Sequence, residues 1–190
     1  MNIRNQGKEI VFSIDSYQYP WEKPDGDGDY AANWLMVKIT YSDSDGSQEY
    51  TDPCLLTWEL YDVIRELEKV INGEESLYVS EFLEPYLKFS FMKVGEDIGI
   101  GISFVYDTTD GIWKDRRLAE SFTVETAKDI LEELKMLSKK YPIKESVKKL
   151  QEKKYWNIAA GSITQHRIIP GITITRCFAM LITTNGTDSL

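Results

Sequence analysis

From Lys8 to Asp15 apolar and polar residues alternate, with Ile10, Phe12 and Ile14 on one side, the period-two pattern of a half-buried strand. Asn33 to Tyr41 repeats the pattern, setting Leu35, Val37, Ile39 and Tyr41 against Trp34, Met36, Lys38 and Thr40. Asp45-Gly46 then predicts a hairpin turn, because glycine accepts a positive φ at no steric cost. Gln48 to Leu56 is expected to run back beside the second strand. Pro53 lacks an amide hydrogen for a ladder and places that return strand at an edge or a bulge.

At Thr57 the period changes. Leu60, Val63, Ile64, Leu67 and Ile71 recur at helical spacing, Thr57 is the expected cap, and Asn72-Gly73 supplies the stop. Glu59 suits the positive end of the helix dipole. Glu59, Asp62, Arg65, Glu66, Glu68 and Lys69 fall on the other side, which predicts an acidic, solvated face.

Three further strands are predicted at Leu87 to Val94, Asp97 to Tyr106 and roughly Arg117 to Phe122. The links between them are too short for parallel crossovers, so the neighbours are expected to be antiparallel. Gly99 and Gly101 leave one side of the middle strand bare, which predicts a helix packed there within the core or, alternatively, a docking surface. A second helix opens with Thr123-Val-Glu125, aligns Ala127, Ile130, Leu131, Leu134 and Leu137, and ends before Pro142. Together these elements predict an α+β fold: an antiparallel meander sheet of about five or six strands with two helices packed on one face.

Charge divides the 190-residue chain unevenly. Residues 1 to 138 hold 13 Lys+Arg against 28 Asp+Glu, residues 139 to 154 hold 7 against 2, and residues 155 to 190 hold 2 against 1. The acidic body predicts repulsion of nucleic acid and anionic lipid, and attraction to a basic partner. From Trp156 to Leu190 there are seven isoleucines and six threonines, unlike anything earlier. That shift fits either an appended hydrophobic strand pair or a reading frame altered near its end. The expected organisation is one domain over residues 1–142, followed over 143–190 by a basic helix or linker and an Ile/Thr-rich tail. Two cysteines, no signal-peptide pattern and no apolar run long enough to span a bilayer predict a cytoplasmic protein.

Catalytic chemistry finds little support in the residues. The single histidine, His166, lies in the atypical tail, and Gly99-Ile-Gly101 lacks both the third glycine and the strand-to-helix setting of a dinucleotide loop. Asp25-Gly-Asp-Gly-Asp29 resembles the start of a calcium loop, but Tyr30 and Met36 occupy the positions that require glycine and glutamate. No metal and no cofactor are therefore expected, and the chain is not expected to be an enzyme. An enzyme would be betrayed by one carboxylate with a strongly raised pKa in a deep pocket.

The same acidic loop is ringed by Tyr17, Tyr19, Trp21, Tyr30 and Trp34. Aromatic side chains supply desolvated contacts and carboxylates steer a cationic surface, so this mixture suits recognition of a basic protein. The candidate contact residues are Trp21, Asp25, Asp27, Asp29 and Tyr30 in the loop, with Glu59, Asp62 and Glu66 on the first long helix.

The runs Ala32-Asn-Trp-Leu-Met-Val-Lys-Ile39 and Tyr50-Thr-Asp-Pro-Cys-Leu-Leu-Thr-Trp-Glu-Leu60 resemble the WapI family of bacterial immunity proteins. The likeness continues through Leu77 to Val94 and the Thr123 helix, covering roughly residues 1–142. The resemblance implies a cytoplasmic antitoxin that binds the toxic C-terminal domain of a contact-dependent growth-inhibition protein, often a nuclease acting on tRNA. It supplies no catalytic residues. The competing reading is a non-catalytic scaffold module that binds through an apolar patch, without nucleic acid or membrane as a direct partner in either case.

Overall fold

The computed structural model describes residues 1–24, 30–107 and 113–144. The loop 25–29 and the segment 145–190, with its predicted basic stretch and tail, lie outside the described residues.

The chain order is β1 (Asn2–Asn5), β2 (Lys8–Tyr17), α1 (Tyr30–Asn33), β3 (Trp34–Asp43), β4 (Gly46–Leu56), α2 (Thr57–Asn72), β5 (Leu77–Val79), β6 (Leu87–Val94), β7 (Asp97–Asp107), β8 (Trp113–Phe122) and α3 (Val124–Lys140). The α+β reading holds, with a difference in detail: the meander is two four-stranded antiparallel sheets, β1-β2-β3-β4 and β5-β6-β7-β8. The division has a covalent cause. β4 runs directly into α2, which carries the chain away from the first sheet, and β5 then pairs with β6 and not with β4. Edge strands β1 and β8 are joined by the Asn5 side chain, whose Nδ2 donates to the Ala119 carbonyl at 2.8 Å.

β1 and β5, four and three residues long, escape the sequence reading because so few positions carry no readable period. Pro53 lies where it was expected. β4 is the edge strand of its sheet, and the β3–β4 register shifts between Leu35↔Leu55 and Val37↔Asp52, so two β4 residues, Pro53 and Cys54, face the single Met36.

The inward sides of both sheets meet. Phe12 of β2 stands edge-on to Phe89 of β6 with ring centres 5.3 Å apart, and Tyr50 of β4 lies 5.2 Å from Phe104 of β7. Leu60, Val63 and Leu67 of α2 and Ala127, Ile130 and Leu134 of α3 belong to the same buried cluster. Each fully buried aliphatic or phenyl side chain adds about 1.5–3 kcal/mol over its exposed state, so this shared core is what holds sheets and helices together. α2 stops at Gly73, which takes the left-handed φ of 75° and donates its N–H to the Val70 carbonyl at 3.2 Å.

The glycine-bearing side of β7 faces away from both helices, which corrects the expectation of a helix packed on it within the core. Ile98, Ile100 and Ile102 point inward and are buried. Gly99 and Gly101 therefore share the outer side with Ser90, Met92, Ala119 and Ser121. A Cβ on Gly101 would fall 2.5 Å from Ser90 Oγ, which can rotate away, and 3.2 Å from Ala119 Cβ, a tight contact between strands.

Candidate partner-binding surface

The first turn of α2 organises the part of the molecule in which most described candidate residues lie. Its cap position is Leu56, in extended conformation, and a leucine has no oxygen to offer the exposed amides. Thr57, the expected cap, is already helical, and its Oγ1 instead donates to Asn33 Oδ1 at 2.8 Å. The same Asn33 oxygen accepts the Lys144 N–H at 2.8 Å while its Nδ2 donates to the Lys144 carbonyl at 2.7 Å. α1 is thereby tied both to α2 and to the chain beyond α3.

Glu59 is not on the solvated face. It is buried, its Oε2 accepting the Leu56 N–H at 2.8 Å and its Oε1 accepting the Leu83 N–H at 2.7 Å. Burial pushes its carboxyl above the usual range, and the two amides only partly offset that. Both oxygens are engaged by backbone amides, so the buried carboxylate serves as a structural clamp between the start of α2 and the Leu83 loop. Asp62 and Glu66 do stay on the outer side, but they are neutralised. Arg65 Nη1 meets Asp62 at 2.7 Å, Arg65 Nε meets Glu66 at 2.9 Å, and Lys69 Nζ meets Glu66 at 3.0 Å. Burial would raise Glu66, but its bonds to Arg65 and Lys69 outweigh that and hold the carboxyl below its ordinary value.

Tyr30 is 51% exposed and stands edge-on against Trp58, centres 5.3 Å apart. Trp21, 72% exposed, meets the edge of Tyr19 at 5.9 Å. Its loop is braced by Lys144, whose Nζ donates to the carbonyls of Pro20 at 3.2 Å and Glu22 at 3.4 Å and lies 4.0 Å above the Tyr17 ring. Asp25, Asp27 and Asp29 lie outside the described residues. The structure thus gathers Tyr30, Glu59, Asp62 and Glu66 around α2, and places Trp21 on the neighbouring Tyr17–Glu22 segment.

Sequence reasoning missed five residues at this end. Trp58 and Tyr61 join Asp62 and Arg65 at helical spacing on the outer stripe of α2, a signal readable from the chain. Leu83 and Glu84 come from a loop distant in sequence and Asp52 from the edge strand that leads into α2, and nothing local marks them. Burial, and then the neighbouring Glu84, push the Asp52 carboxyl up. Cys54 is buried and its thiol is pushed up to about 12, mainly by burial, which leaves it protonated and unreactive near neutral pH. Among the described residues no group of three or more His, Cys, Asp or Glu side chains is placed to hold a metal, and no helix is long and apolar enough to cross a membrane.

A family model described as the immunity protein WapI-like family matches residues 1–142. The chain belongs to that family. No curated protein matches it. The WapI-like match ends one residue past Tyr141, a buried ring whose hydroxyl lies 3.0 Å from the Ile14 carbonyl and 2.7 Å from that of Asp15. The matched region therefore contains every described strand and helix.

Proposed function

We propose that this chain is an immunity protein that binds and neutralises the C-terminal toxic domain, a nuclease, of a contact-dependent growth-inhibition protein, and that it does so in the cytoplasm without catalysis. The WapI-like match over residues 1–142 carries the reading, because immunity proteins work by occupying a cognate toxin. The charge supports the nuclease part. A nuclease presents cations to its phosphate substrate, and an acidic body with 28 Asp+Glu against 13 Lys+Arg over residues 1–138 is suited to meet them. Long-range attraction of this kind raises the association rate, and salt screens it over about 8–10 Å.

Co-expression tests the reading: the full chain with the C-terminal domain encoded by the open reading frame immediately upstream, scored by growth and by co-purification. Growth with a stable complex is the expected result. Continued killing by that domain, with the chain folded and abundant, would refute the immunity role.

One observation favours a second reading. The outer side of the second sheet exposes Leu77, Val79, Met92 and Val94 beside the bare strip at Gly99 and Gly101, an apolar face of the kind a scaffold module uses. Binding through it would depend little on salt, which separates the two readings.

A further inference from the structure

We infer that the toxin docks on the surface around the first turn of α2, with Tyr30, Trp58, Tyr61 and Leu83 as the side chains it desolvates and Asp52 and Glu84 as the carboxylates that meet its cations. The inference rests on the immunity reading and locates its site. Four observations converge on this surface.

The outer stripe of α2 is unlike an ordinary solvated helix face. A helix on a soluble domain normally turns charged and polar residues outward, yet here the stripe begins with Trp58 and Tyr61, and Trp58 carries Tyr30 edge-on. Tyr30, Tyr61 at 41% exposure and Leu83 at 59% present large apolar groups to solvent with nothing described over them. Aromatic side chains on rigid elements are the residues that dominate binding energy at interfaces.

The acids at this end divide into two kinds. Asp62 and Glu66 already have cations in Arg65 and Lys69, so a partner gains little from them. Asp52 and Glu84 form no ion pair among the described residues, and the Asp52 carboxyl, pushed up by burial, is pushed further by the Glu84 charge. Carboxylates without a counter-ion favour a partner that brings cations to them. A basic toxin face does this.

The surface is also rigid. Glu59 clamps Leu83 to the start of α2, Thr57 and Asn33 fix α1, and Asn33 holds Lys144. Ordering entropy is therefore already lost in the free protein, and the partner meets a preformed face. Finally, the alternative apolar face on β5–β8 has Lys88 and Arg117 at one end, charges of the wrong sign for a cationic partner.

The test uses the full chain and the upstream-encoded toxin domain, with affinity measured by calorimetry at two salt concentrations and protection scored by growth. Tyr30→Ala with Leu83→Ala should weaken binding at least ~tenfold, and so should Tyr61→Ala. Asp52→Asn with Glu84→Gln should weaken it at low salt and flatten the salt dependence. These positions are exposed or partly exposed, and circular dichroism checks that each variant is folded. Leu77→Ser with Met92→Ser, on the outer sheet face, should bind as wild type does. If wild type binds tightly while the first three variants stay within about threefold of it, or if the sheet-face pair abolishes binding, the docking assignment is overturned and the immunity reading stands. If wild type itself neither binds nor protects, the immunity reading falls and takes the docking surface with it.

Discussion

Helices α2 and α3 open on the same short pattern, Thr57-Trp-Glu59 and Thr123-Val-Glu125, and put it to different uses. At α3 the pattern acts locally. Thr123 is the cap, its Oγ1 accepting the Thr126 N–H at 3.3 Å, and Glu125 is exposed in the first turn. At α2 the helix starts one residue sooner, so the threonine faces Asn33 and the glutamate is drawn inward to grip Leu56 and Leu83. Local sequence nucleates both helices, but burial decides what the polar groups do. At α3 the pattern caps the start of the helix; at α2 it ties α1 and the Leu83 loop to the helix.

That contrast predicts unequal consequences. Glu59→Ala strands two backbone amides that now share a charged acceptor, and should destabilise the fold by about 3 kcal/mol, measured by denaturant unfolding. A loss under about 1 kcal/mol would mean that the clamp is not structural. Asn33→Ala removes the partner of Thr57 and both contacts to Lys144, and should destabilise by about 2 kcal/mol in the same assay. Thr123→Ala should be milder, about 1 kcal/mol, the ordinary effect of losing a cap at an exposed helix start.

The smallest expected effect has the opposite sign. The Asp52 carboxyl is raised in the folded protein by burial and by Glu84, so its contribution to stability is present below the ordinary carboxylate range and is lost as pH rises through the raised value. Asp52→Asn should therefore stabilise the protein at pH 7, by no more than about 0.5 kcal/mol after solvent screening, and the gain should vanish below about pH 4. The same substitution is expected to weaken toxin binding, so stability and affinity move in opposite directions. A variant less stable than wild type at pH 7 would argue against the unpaired-acid account.

Most of the fold was legible because its strands and helices are amphipathic: Ile10-Phe12-Ile14, Leu35 to Tyr41 and Leu60 to Ile71 each show a single period over enough positions to be read. The division into two sheets was not, since no local pattern says whether β5 joins β4 or starts a new ladder. The candidate surface was half legible. Tyr30 and Asp62 were found from composition and helical phase, whereas the inward turn of Glu59 depends on Leu83, 24 residues away, and the meeting of Asp52 with Glu84 depends on how the loop before β6 folds back. Glu59 shows why a carboxylate on the polar phase of a helix is not necessarily solvated: near an N-terminus, unpaired amides compete with water for it.

The most direct test of the central claim is inhibition in vitro. The purified full chain is titrated into the upstream-encoded toxin domain while the nuclease activity proposed for that domain is followed. The account predicts that cleavage stops at one chain per toxin domain and returns as salt weakens the complex. Undiminished cleavage at a large excess of folded chain would contradict it.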